Sequence, residues 1–296
     1  MARIVDTIPA FVAFARKANI ETPIRRELLW KERYESEHPD VFEAFNPQHG
    51  STEGRTALAK ELSTVRARVE AAEPVVRSAI EEIDPLLAET LGLPPEPSPV
   101  HVLLVGSFAT NAAVGQLGDD VAVFHCLEWF QSPEGARVLV AHEGTHAWAR
   151  MATGEAFPED DAAALAFAEG VAIAASRAVI PDRPPEEYFW YGHGEVEHWL
   201  PWCEEHRDQL LVTFAEGLGA PETVDAFFGG GFVETQWRVG YYLADQLVQA
   251  LDKPLPELAR MTVAEGRAAI LDVLGLEEAP LEEAPEAETQ EVPGAD

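Results

Sequence analysis

The chain has little cysteine and no apolar run long enough to cross a bilayer. Only Cys126 and Cys203 occur in 296 residues, in neither a CxxC nor a zinc-knuckle spacing, which argues against a disulfide framework and a cysteine-held metal. Two lone thiols suit a reducing, cytoplasmic setting. Residues 8–15 are mostly apolar but contain Pro9 and are closed by Arg16 and Lys17, a poor signal peptide. Nowhere do about 18 apolar residues run without a charge, so no membrane contact is expected. Bases are scarce as well, though only in one part: twelve acids balance twelve bases through residue 80, and forty acids face nine bases beyond it. The net charge of −31 therefore belongs to the later residues, and such a surface repels phosphate backbones, so nucleic acid is not an expected partner. Bulk acidity by itself speaks first of solubility.

What is present is enough apolar material for a substantial core, 47% of the residues. From Asp6 to Gly92 apolar residues recur at three- and four-residue spacing, notably over 55–72 and 75–91, with Pro39, Pro47, Gly50 and Pro74 as punctuation. This predicts a helical N-terminal region over 1–93. The run PPEPSP at 94–99 cannot hold a helix and marks a junction. Two strand-like runs follow at 100–105 and 121–124, and the small-residue stretch 107–118 between them suits an edge or a loop lining a cleft.

Ser132 and Pro133 then open a helix as cap and first residue, and Gly154 is placed to end it. A second helix is expected from Asp160 or Asp161 to Pro181, almost wholly apolar in its middle. Residues 188–202 are aromatic and acidic, as a lid or cleft wall would be. A last long helix is expected near 234–251, after Gly229, Gly230 and Gly231, and a shorter one over 262–274. Residues 277–296 hold eight acids, three prolines and no base, the composition of a disordered acidic tail, which leaves 94–276 as the principal domain.

The first of these helices carries His142-Glu143-Gly144-Thr145-His146, an HExxH pattern. Residues four apart lie one above the other on a helix, so both imidazoles can reach one tetrahedral Zn²⁺, with Glu143 beside the open position as a base toward water. A third ligand must come from elsewhere, because Ala152 stands where a third histidine would follow in the metzincin variant. Glu169 is the strongest candidate: it sits in Leu165-Ala166-Phe167-Ala168-Glu169-Gly170-Val171-Ala172 with no base within four residues, and a carboxylate so placed needs a partner. Asp160 and Asp161 are the weaker alternatives, since both serve better as helix starters. Each residue alone has a plain structural reading, two histidines bonded to carbonyls in a core and a glutamate on a solvated stripe.

The segments HEGTHAWAR (142–150), AEGVA (168–172) and RVGYYLADQLV (238–248) together resemble a family of predicted zinc-dependent proteases of the gluzincin type. The resemblance covers residues 100–252 and departs from thermolysin, whose third glutamate lies in an Asn-Glu-x-x-Ser-Asp context. It implies an α+β, mostly helical fold in which a small sheet lies over two crossing helices that hold zinc, acting on a peptide or protein substrate. It also implies Tyr241 and Tyr242 as oxyanion donors, with Arg238, His193 and His198 behind them. Arg150, one turn past His146, suits either a supporting carboxylate contact or a surface ion pair, and Asn111 suits a turn or a contact to substrate backbone. Two rival expectations stand beside the peptidase: hydrolysis of a different amide, and a zinc-holding scaffold without activity.

Overall fold

The computed structural model describes residues 2–194 and 198–277. The fold is mostly helical with a small mixed sheet, an α+β arrangement. A first strand, β1 (Arg3–Asp6), leads into α1 (Ile8–Ala18), α2 (Pro23–Arg33), α3 (Pro39–His49), α4 (Thr52–Lys60) and the long α5 (Leu62–Thr90). The strands β2 (Val100–Leu104), β3 (Ala112–Leu117) and β4 (Asp120–Cys126) follow, and then α6 (Pro133–Thr153) and α7 (Ala162–Val179). Beyond them lie α8 (Glu187–Trp190), α9 (Trp199–Glu205), α10 (Arg207–Gly217) and α11 (Pro221–Phe228). A two-stranded hairpin, β5 (Phe232–Val233) and β6 (Gln236–Trp237), precedes α12 (Val239–Ala250), α13 (Leu255–Leu258) and α14 (Val263–Val273). The acidic tail expected over 277–296 lies, but for Glu277, outside the described residues.

The main sheet runs β1-β2-β4-β3. β1, β2 and β4 are parallel, and β3 returns antiparallel on β4 with Leu117 opposite Asp120. β2 is buried throughout, as a central strand with both faces covered should be. β3 is an edge strand, as β1 is on the other side, and it lies in the stretch whose small residues suggested one. β1 ties the first residues into the same sheet, which helical spacing from Asp6 onward gave no reason to expect.

Helix α5 departs from its predicted punctuation. It runs unbroken for 29 residues with Pro74 and Pro85 inside it, where sequence spacing set two helices on either side of Pro74. Val65, Val69, Ala72, Val76, Ala79, Ile80, Ile83 and Leu87 form one buried stripe across that proline, and burying it outweighs a lost backbone hydrogen bond. α5 packs on α6, and buried Asp84 links them: it accepts from Trp148 Nε1 at 2.9 Å and lies 3.4 Å from His101 Nε2 on β2. The motif helix is thus held against both the long helix and the sheet.

Candidate metal centre

α6 begins as its sequence requires. Ser132 accepts from the Gly135 amide at 3.0 Å, Pro133 occupies the first turn, and Gly154 ends the helix at φ +75°. α7 is capped by Asp161, which accepts from the Ala164 amide at 2.9 Å and from Arg267 Nε at 2.8 Å. Those bonds commit Asp161 to the helix end, and Asp160 is exposed, so neither joins the group at the crossing of α6 and α7.

At that crossing His142, His146 and Glu169 meet. The two Nε2 atoms are 3.1 Å apart, and Glu169 Oε2 lies 2.9 Å from His142 Nε2 and 3.7 Å from His146 Nε2. His142 and Glu169 are 2% and 6% exposed, so the carboxylate is taken out of water with two imidazoles beside it. Despite this closeness Oε2 accepts no aligned hydrogen bond, and His142 Nδ1 is likewise buried without a partner. Ligands about 2.0–2.1 Å from a tetrahedral centre stand about 3.3 Å apart, a spacing that these three separations bracket. The group can therefore hold a metal ion.

Burial alone would raise the Glu169 carboxyl, but the facing histidines outweigh it and hold the group well below the carboxylate range. Glu143, on the same helix as both histidines, is shifted the other way: burial raises it despite them, which leaves a more basic carboxylate. Aromatic rings wall the centre. His142 has the Tyr191 ring centre at 5.2 Å and that of Tyr241 at 6.5 Å, while His146 meets Phe157 edge-on at 4.8 Å. A small apolar pocket of about 70 Å³ adjoins His146 and includes Val114 of β3, Phe157 and Phe167.

The remaining candidates separate clearly. Tyr241 faces the centre, and burial keeps its phenol protonated far above neutrality. Tyr242, one position on and thus about 100° around the helix, is set instead among Cys203, Glu204, Arg207 and Asp245. Arg238 lies over the Tyr241 ring at 3.9 Å. His193 lines a neighbouring cleft and meets Trp129 edge-on at 5.9 Å, while His198 is exposed at the start of α9. Arg150 lines the small pocket and pairs with no carboxylate among the described residues. The Asn111 side chain accepts from the Ala112 amide at 2.8 Å, and the residue lines the cleft.

Gly170 serves the contact of α7 with α12. Its missing Cβ makes room for Ala244 and Val248 of α12, so it brings α7 against the helix that carries Tyr241 rather than against α6. The aromatic stretch expected as a lid or cleft wall supplies Trp190, Tyr191 and His193 to the cleft, though nothing singled out Tyr191 within it, and no motif announces Phe157 or Glu128. Compared with known proteins, the chain matches no family model, no curated protein and no solved structure.

Proposed function

We propose that the chain is a zinc-dependent hydrolase of the gluzincin type that cleaves peptide bonds. The observation that carries this reading is the convergence of His142, His146 and Glu169, with Glu143 held in the same buried setting. Two imidazoles and a carboxylate are a donor set suited to zinc, and three protein ligands leave a position for water or substrate. A zinc ion held there would supply Lewis-acid polarisation of the scissile carbonyl and of a water.

The chain's own residues do the rest. Glu143 takes a proton from the attacking water and passes it to the leaving amine, and its raised basicity suits that task near neutral pH. The Tyr241 hydroxyl, kept protonated by burial, donates to the oxygen on which negative charge develops. Tyr242 takes no part, given its surroundings. Tyr191 and Phe157 shield the imidazoles from water, which strengthens each electrostatic contact inside. Edge strand β3 borders the same pocket through Val114 and offers unpaired backbone groups to an extended peptide.

Glu143→Gln is the sharpest test of this chemistry. The variant is expected to keep its zinc, measured by elemental analysis, and to lose cleavage of a casein substrate by about 10²–10⁴-fold. Undiminished cleavage would remove Glu143 from its role.

A further inference from the structure

Arg238 is a cation held among rings. Its guanidinium carbon lies 3.9 Å from the Tyr241 ring centre and 5.5, 5.7 and 5.8 Å from those of Trp190, Trp237 and Tyr191. Rings offset part of the cost of desolvating a guanidinium, but only an anion meets it with paired hydrogen bonds. No carboxylate among the described residues forms a direct ion pair with Arg238: Nη2 donates to the Phe189 carbonyl at 3.2 Å, Nε has no acceptor, the guanidinium meets Tyr191, and Glu169 and Glu143 act on it only through space. The backbone here has φ +61°, so the residue keeps an uncommon conformation to leave from this point.

Arg238 lines a cleft of about 420 Å³ beside the metal centre, together with Asn111, Trp129, Trp190, Tyr191 and His193. None of the described residues lining it is acidic, in a chain whose net charge is −31. A second cation, Arg68, acts on His193 from outside the cleft lining. Burial, Arg238 and Arg68 together push the His193 imidazole below its ordinary range, so the local field is positive where the molecule as a whole is negative.

We propose that this cleft is a subsite for an acidic side chain, in which an aspartate or glutamate carboxylate of the substrate pairs with Arg238 and the neighbouring peptide lies against the aromatic walls. The proposal rests on the peptidase reading for its substrate, though not for the binding itself. It also explains selectivity: the acidic exterior repels acidic peptides in general, so only one whose carboxylate reaches Arg238 recovers the loss.

The test uses two N-acetylated, C-amidated hexapeptides that differ only in a central glutamate or glutamine, titrated against Glu143→Gln protein by tryptophan fluorescence. The glutamate peptide is expected to bind about tenfold more tightly. Adding Arg238→Gln should equalise the two, while Arg238→Lys, which keeps the charge without the planar fork, should retain part of the preference. Equal affinity for both peptides, failure of both to bind, or a preference that survives Arg238→Gln would each overturn the proposal. Zinc content, measured on the same preparations, and casein cleavage, measured on the otherwise unchanged enzyme, report on the peptidase reading separately, so either idea can fail while the other stands.

Discussion

Glu128 shows how much a single residue can do without belonging to a motif. It is wholly buried, its Oε1 accepts from the Gly106 and Phe108 amides at 2.8 Å each, and its Oε2 has no partner. The loop it holds carries two successive residues at positive φ, Ser107 and Phe108, and continues into the wall of the cleft. Burial outweighs the two amides and pushes its carboxyl up to about 7 from 4.5. A folded-state value above the unfolded one means that the stability it contributes is complete below pH 4.5 and is lost as pH rises through about 7, in all roughly 3 kcal/mol. Glu128→Gln stays neutral throughout, so its urea-unfolding free energy should gain on that of the unaltered chain by about that amount between pH 4.5 and pH 8. Parallel pH profiles for the two would show that Glu128 does not titrate in this way.

Glu128 also measures what residue context can reveal. The acid flanked by apolar residues that pointed to Glu169 has an equivalent in Cys126-Leu127-Glu128-Trp129-Phe130, yet one carboxylate meets two imidazoles and the other two backbone amides. The partners of Glu169 were legible because the HExxH pattern calls for a third ligand, whereas nothing in the sequence marked Glu128, whose amide partners lie in a loop that no motif announces. His142, Glu143 and His146 were readable because helix geometry alone sets their relation. Tyr191 could not be read, since its place beside His142 depends on a left-handed turn at φ +54° and a close approach to Gly135.

Among the elements, those with local punctuation were the readable ones. Ser132 with Pro133, Asp161, and Thr262 with Glu265 each cap a helix where the sequence places one. α12 starts later than expected, at Val239, because the residues before it pair as the short hairpin of β5 and β6 and Arg238 turns the chain at positive φ. α5 passed through its prolines because a tertiary stripe prevailed over local signals. The contact between α7 and α12 is where an element-level change should tell most. A Cβ at Gly170 would stand 2.3 Å from the Ala244 carbonyl oxygen, which is backbone, whereas one at Gly144 would stand 2.6 Å from Leu87 Cδ1, the end of a side chain that can turn. Gly170→Ala is therefore expected to cost about 1–3 kcal/mol in urea unfolding, and Gly144→Ala less. The reverse order would mean that the two helices are not locked at this glycine.

At the scale of the whole molecule, charge and core divide the work. The net charge of −31 opposes the approach of other anions, while Arg238 and Arg68 make the surroundings of His193 locally positive. The sheet, α5 and α6 form a single support in which Asp84 touches all three, so the motif helix cannot shift without disturbing the rest. α7 is the most apolar helix of the fold by composition, long enough to cross a membrane, yet it is mostly buried inside the molecule and carries Glu169. Such a helix bears a carboxylate at its centre at a cost that an ion between it and two imidazoles would offset.

Metal content tests that directly. Purified protein, incubated with zinc and then dialysed exhaustively, should retain one zinc ion per chain by elemental analysis, and His142→Ala and Glu169→Ala should retain almost none while keeping their helical circular dichroism. Folded wild-type protein that retains no zinc, or a Glu169→Ala variant that holds it as firmly as the wild type, would show that these three side chains are not a metal centre.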